Sequence, residues 1–334
     1  MRVAVLDDYH RVFGADPAIQ RLRRRVPVDV YIDKLPLERL RAYAILIALR
    51  ERTRFDAAFF EALPELELIA QTGNHAYHVD MAAATKAGVL VGMASSDLDT
   101  MGSIARSTIE LTFGLMIAVL RRIPQTDQAI RRGEWPSFAG RTLAGKKLGI
   151  LGLGRIGREV ARLAQAFGMQ VLAWGPTLNA ERSARSGATF MELDALLEEA
   201  DIVTVQLKLS EDSRGLLNEK RLRRIGSHGV LINTARGAIV DEKALARVLA
   251  EGALGAAGLD VFAEEPLAAD SPLRHLDNVV LTSHLGWPAD LTYNTFAQAA
   301  VAIIEAYLDG KYASAVNLEA LQHRKGCQAR SGDA

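Results

Sequence analysis

The chain has a single cysteine, Cys327, in 334 residues. It can form no internal disulfide, so a reducing, cytoplasmic setting is the expectation. Neither sign of charge is in excess, since 40 Lys and Arg balance 40 Asp and Glu. No nucleic acid and no anionic membrane surface is therefore expected as a partner. No uncharged apolar stretch approaches the roughly 20 residues that a membrane span needs. The opening MRVAVLDDYH is broken at once by Asp7 and Asp8, which reads as a buried first strand and not a signal peptide. There is no fixed-period repeat and no low-complexity tract, and no metal site is expected. What is there has the balance of a soluble globular protein, 49% hydrophobic and 24% charged. Its length exceeds one ordinary core, so two domains are expected.

Short aliphatic runs alternate with segments of helical period, the pattern of a parallel α/β architecture. In the first hundred residues 3–6, 44–49, 66–71 and 88–91 read as strands. Residues 103–122 then fit one long helix whose apolar face is wide enough to be buried from more than one side. A second α/β series begins at Lys147, with KLGILGL, QVLAW, DIVTVQL, GVLIN, LGAAGLDV and NVVLTS as strands. The polar tail KGCQARSGDA shows no periodicity. Two such modules would each carry a crevice at the carboxyl ends of their strands.

Gly152-Leu153-Gly154-Arg155-Ile156-Gly157 follows the strand KLGIL and opens the helix REVARLAQAFG. The first glycine permits a tight turn, the second lets backbone approach a pyrophosphate, and the third allows helix to pack closely on strand. Unpaired N–H groups at the helix start then favour phosphate. A lone GxGxxG says little, but strand, helix and second strand surround this one at the expected spacing. An acidic residue about 20 positions on, which would bind the adenosine ribose, is missing; Gly175 and Pro176 stand there. Arg182 and Arg185 follow, either near a 2′-phosphate or on an exposed helix face, so NAD, NADP or both remain open as cofactor.

Three segments place polar residues directly after apolar strands: LINTARGAIVDEKAL, GLDVFAEEPL and LTSHLGW. Reduction of a 2-oxo acid needs a cation for the carboxylate and carbonyl oxygens, and a proton donor beside the carbonyl. Arg236 presents a planar fork of donors suited to the first part. His284 suits the second, with Glu265 as the carboxylate that keeps it charged. Taken singly, each also has an ordinary structural explanation; it is their order behind a dinucleotide turn that points to chemistry. His10, His228, His275 and His323 lack such context and are taken as surface or structural.

GKKLGILGLGRIG, LINTARGAIVDEKAL, GLDVFAEEP and SHLG together resemble, in order and spacing, the D-isomer-specific 2-hydroxyacid dehydrogenase family, and the likeness covers nearly the whole chain. The resemblance implies two Rossmann-like domains with parallel sheets, the nucleotide-binding domain (101–286) inserted in a flavodoxin-like substrate domain (1–100 and 287–334). It implies Arg236, Glu265 and His284 as the catalytic set, with hydride passing between nicotinamide and C2 of a small 2-oxo or 2-hydroxy acid. By the same resemblance, Asp260 holds the nicotinamide carboxamide. Asn233, Thr234 and Ala235 lie beside the nicotinamide ribose and Thr108 near the ring. Trp174, Gly175, Leu207 and Gly286 complete the expected cofactor contacts with Gly152, Gly154, Arg155, Ile156 and Gly157. The long helix matches the family's subunit-contact helix, implying a C2 homodimer; packing inside a monomer is the alternative.

Substrate contacts are expected from Arg50 in LRERT, from Gly73, Asn74 and His75 in QTGNHAYHVD, and from Trp287. Several departures from the family pattern bear on the substrate. Glu51 stands where a small polar residue is common, and either repels a phosphate or pairs with Arg50. Asn74 and His75 replace small residues, and narrow the pocket or point into solvent. Trp287 either walls the pocket or packs at a hinge. Gln206 and Lys208 replace a histidine and a proline near the expected cofactor edge. From another class, the same fold serves as a nucleotide-sensing co-regulator of the C-terminal binding protein type.

Overall fold

The computed structural model describes residues 1–73, 76–94 and 100–324, with only the backbone at 100 and 101. Asn74, His75 and Cys327 lie outside the described residues. The chain divides into two compact units, one of residues 1–103 with 288–334 and one of residues 104–287.

In the first unit β1 (Val3–Val5), β2 (Val28–Val30), β3 (Ile45–Ala48), β4 (Leu68–Gln71) and β5 (Leu90–Gly92) form one parallel sheet. Their order is β2-β1-β3-β4-β5. Every residue of β1, β3, β4 and β5 is buried, which is why these strands read as unbroken aliphatic runs: a parallel sheet is covered on both faces. Carboxylates start the connecting helices. Asp16, Asp56 and Asp80 each accept a backbone N–H at the helix they precede, from Ala18, Phe59 and Ala83 at 2.8, 3.0 and 2.9 Å. The helix Asp290–Leu308 brings Phe296, Ala300 and Ile304, all fully buried, to this unit. A Cβ on Gly92 would collide with Ile303 of that helix, so the glycine sets how closely helix and sheet approach.

The second unit carries seven parallel strands in the order β12-β11-β10-β9-β6-β7-β8. They are β6 (Lys147–Leu151), β7 (Gln170–Trp174), β8 (Thr189–Phe190), β9 (Ile202–Val205), β10 (Val230–Asn233), β11 (Ala256–Leu259) and β12 (Val279–Leu281). The order reverses between β6 and β9, and a doubly wound sheet opens its binding crevice at such a point. The helix Thr100–Leu120 packs Ile109, Phe113, Leu115 and Met116 among Leu148, Ile150 and Ile232. Gly258 lets it close on β11, where a Cβ would stand 3.1 Å from Leu115. Residues Gly102–Leu120 are long and apolar enough to cross a membrane, but 61% of that window is buried within the protein and it contains Arg106 and Glu110; it is a core helix.

Two strands were absent from the sequence expectation, β2 and β8. Both are sheet edges. Each is short, three and two residues, and half-exposed, so neither leaves an apolar run to read.

Candidate active site

All the polar segments singled out in the second unit emerge at the carboxyl ends of its strands. At the turn after β6, Gly152 has φ +102° and donates its N–H to the Trp174 carbonyl at 2.7 Å. A Cβ there would stand 2.8 Å from the Gln206 carbonyl oxygen and 3.0 Å from Leu207. A Cβ on Gly157 would land on the Gly152 carbonyl oxygen. Around Gly154, by contrast, nothing lies within 4 Å of a Cβ position. The helix Arg155–Ala166 begins there, and its N-cap residue Gly154 has no side chain with which to cap it. One open glycine between two crowded ones, ahead of an uncapped helix, fits a dinucleotide pyrophosphate.

Beyond β7, Trp174 is half-buried and Gly175 is buried. The structure separates the two arginines that follow. Arg185 pairs with Glu181 at 2.6 Å on the helix surface, whereas Arg182 folds back onto the Thr177 carbonyl at 2.5 Å, in the loop that Gly175 opens. Gln206 turns inward. Its Nε2 donates toward the hydroxyls of Thr204 (3.0 Å), Thr234 (3.3 Å) and Thr112 (3.4 Å). Thr112 and Thr234 are themselves 2.9 Å apart. The side chain is thus committed to a buried hydroxyl cluster and not to a cofactor edge, and Thr112 was not singled out from sequence.

The catalytic candidates follow β10, β11 and β12, three neighbours in the sheet. After β10, Asn233 is buried and braces its own loop, accepting from Ala235 N at 3.1 Å and donating to the Arg236 carbonyl at 3.0 Å. Arg236 is exposed, with NH1 on the Ala235 carbonyl at 2.6 Å. Its Nε and NH2 have no partner among the described residues. Gly237 lets this loop touch the next, since a Cβ would collide with the Phe262 carbonyl.

After β11, Glu265 divides its carboxylate. Oε1 accepts from Phe262 N at 3.0 Å, and Oε2 meets His284 Nδ1 at 2.7 Å. The contact fixes the ring and leaves Nε2 as the nitrogen open to a ligand. Both side chains are about one-third exposed, 35% for Glu265 and 38% for His284. His284 itself has φ +58°, a left-handed conformation unusual outside glycine.

That turn is held by Asp260, which is fully buried. Oδ1 accepts from Thr282 Oγ1 at 2.6 Å and Leu285 N at 2.7 Å, and Oδ2 from Gly286 N at 2.9 Å. The Asp260 carbonyl takes His284 N at 2.9 Å. Thr108 closes the far side, donating to the Gly286 carbonyl at 2.8 Å. Asp260, expected at the nicotinamide carboxamide, directs its three side-chain hydrogen bonds within the protein to the loop that carries His284. Thr282, in LTSHLG, was overlooked although a hydroxyl at a strand end was its signal.

In the first unit, Arg50 lies just past β3 with φ +56°. Its Nε is 3.4 Å from Glu51 Oε2 and its guanidinium lies over the Phe296 ring at 6.0 Å. Of the two alternatives for Glu51, pairing with Arg50 is the one observed. A Cβ on Gly73 would stand 3.7 Å from Arg50 NH1, so these two substrate candidates adjoin. Trp287 is half-buried at the end of the second unit.

A dinucleotide turn on a doubly wound sheet, with a paired histidine and an arginine at the same edge, defines a nicotinamide-dependent oxidoreductase. Residues 113–286 match the model of the D-isomer specific 2-hydroxyacid dehydrogenase family, NAD binding domain. A glyoxylate reductase of Korarchaeum cryptofilum is 33% identical over 305 residues, 88% of this chain and 90% of that protein. A D-3-phosphoglycerate dehydrogenase of Mycobacterium tuberculosis is 40% identical over 256 residues, 76% of this chain but 47% of that longer protein. A phosphoglycerate oxidoreductase from Vibrio cholerae superposes with TM-score 0.78 at 30% identity, covering 93% of this chain and 99% of the other. The chain belongs to the D-isomer specific 2-hydroxyacid dehydrogenase family. It is an oxidoreductase acting on the CH–OH group of 2-hydroxy acids, with NAD or NADP as cofactor.

Proposed function

We propose that the chain reduces a small, unphosphorylated 2-oxo acid of the glyoxylate or hydroxypyruvate kind to the D-2-hydroxy acid, and runs the reverse reaction on that product. The observation that carries this reading is the 2.7 Å contact between Glu265 Oε2 and His284 Nδ1. It orients Nε2 to donate a proton to the oxygen on C2 as that carbon is reduced, and to take the proton back in oxidation. Arg236 offers its two uncommitted donor groups to the substrate carboxylate and carbonyl oxygen. The nicotinamide, when bound, supplies or accepts the hydride at C2. The Arg50–Glu51 pair offsets a cation that a phosphorylated substrate would need, which favours a small acid. Gly175 in place of a carboxylate, with Arg182 reaching back from the following helix to the same loop, supports tolerance of a 2′-phosphate and hence use of NADPH as well as NADH.

The test is loss of reduced-nicotinamide absorbance with glyoxylate, hydroxypyruvate, pyruvate and longer oxo acids, each with NADH and NADPH. Turnover is expected with glyoxylate or hydroxypyruvate, and none with 3-phosphohydroxypyruvate. Arg236→Ala and His284→Ala should each lower kcat/KM by about a hundredfold or more. Wild-type turnover by both variants would overturn the assigned roles.

A further inference from the structure

The sheet of the first unit has its own topological reversal. The chain leaves β1 for β2 on one side and returns to β3 on the other, and a doubly wound sheet binds ligands at such a point, beyond the carboxyl ends of its strands. A cavity of about 390 Å³ is lined by the segments that follow β1, β2 and β3, from Leu6 and Asp7, from Lys34 to Leu40 and from Thr53 to Phe59. That volume is in the range of small-molecule sites. Neither of the first unit's substrate candidates, Arg50 and Gly73, lines it.

Its walls say what it suits. Leu35, Leu37, Leu40 and Phe59 make one side apolar. The two carboxylates at the cavity are already engaged. Asp7 accepts from Tyr9 OH at 3.1 Å and from Thr53 Oγ1, and Asp56 caps its helix through Phe59 N at 3.0 Å. The two cations are not. Lys34 and Arg54 are exposed, and neither side chain has an ion pair or hydrogen bond among the described residues. Open positive charge beside an apolar wall is complementary to a ligand with one anionic end and one hydrocarbon end.

We propose that this crevice is a second binding site, for a small carboxylate with an apolar body. Thr53 and Arg54 belong to the same loop as Arg50, so occupancy restrains the loop on which the substrate candidate sits. That coupling, unlike the site, rests on the proposed function.

Titration calorimetry of the full chain without cofactor tests the site, with 4-methylpentanoate as probe and 4-methylpentanamide and acetate as controls. Wild type and Arg236→Ala are expected to bind 4-methylpentanoate equally. Binding should weaken about tenfold or more in the Lys34→Ala/Arg54→Ala double variant and for either control. Both replaced side chains are exposed, so an unchanged unfolding midpoint should accompany the loss. Undetectable binding to wild type at about 10 mM, or a double variant that binds as wild type does, overturns the proposal. Loss on Arg236→Ala alone assigns the probe to the active site and also overturns it. The coupling is read separately, as a change in KM for the oxo acid when the probe saturates.

Discussion

At the scale of single residues, Asp260 decides how firmly His284, the proposed proton donor, is presented. A buried carboxylate with three donors converging on it is stable only while all three are satisfied, because each orphaned buried group costs about 1–3 kcal/mol. Asp260→Asn keeps the shape but turns one acceptor into a donor facing a backbone N–H. The turn must then shift, and a misplacement of about 1 Å at a reacting group costs on the order of a hundredfold in rate. The expected outcome is a kcat lowered by about that factor, a lower unfolding midpoint and a dinucleotide Kd that hardly moves. A Kd that weakens in step with kcat, at unchanged stability, would return Asp260 to a direct contact with nicotinamide. Sequence could not separate these alternatives, since a carboxylate at a strand end looks the same whether it faces a ligand or its own loop. The pairing of Glu265 with His284 spans 19 positions and was legible only through the order of motifs.

At the scale of elements, the glycine turn shows where sequence reading reaches furthest. Each of its three glycines has a different steric surrounding, and the spacing alone assigned those parts. The distinction can be measured. Gly157→Ala drives a methyl group onto the Gly152 carbonyl, overpacking that costs about 1–3 kcal/mol, so both the unfolding midpoint and dinucleotide affinity should fall. Gly154→Ala meets no atom within 4 Å and has negative φ. It should leave stability nearly unchanged in thermal unfolding while weakening dinucleotide binding by titration. Equal loss of stability in both variants would argue against an open phosphate cradle at Gly154. Interior strands were equally legible because burial on both faces forces aliphatic residues at every position. Edges such as β2, with Asp29 at its centre, carry no such signature.

At the scale of the whole molecule, one surface stands out. Ile123, Ile130, Trp135 and Phe138 are 50%, 49%, 86% and 42% exposed, and they follow directly on the long helix expected to contact a second subunit. Four exposed large apolar side chains within 16 residues of sequence are candidates for such an interface. Sedimentation velocity at micromolar concentration should give twice the chain mass, and Ile130→Asp with Trp135→Asp should shift the protein to one chain. Monomeric wild type would overturn the homodimer that the family resemblance implies.

The interruption of the first unit by the second also has a bearing on how the protein comes into being. The unit formed by residues 104–287 is uninterrupted in sequence, so every contact it needs is available once that stretch has left the ribosome. The first unit takes residues made before that stretch, yet Phe296, Ala300 and Ile304, made after it, complete its interior. Its β-sheet therefore waits, with one flank uncovered, until the helix Asp290–Leu308 has followed the second unit off the ribosome.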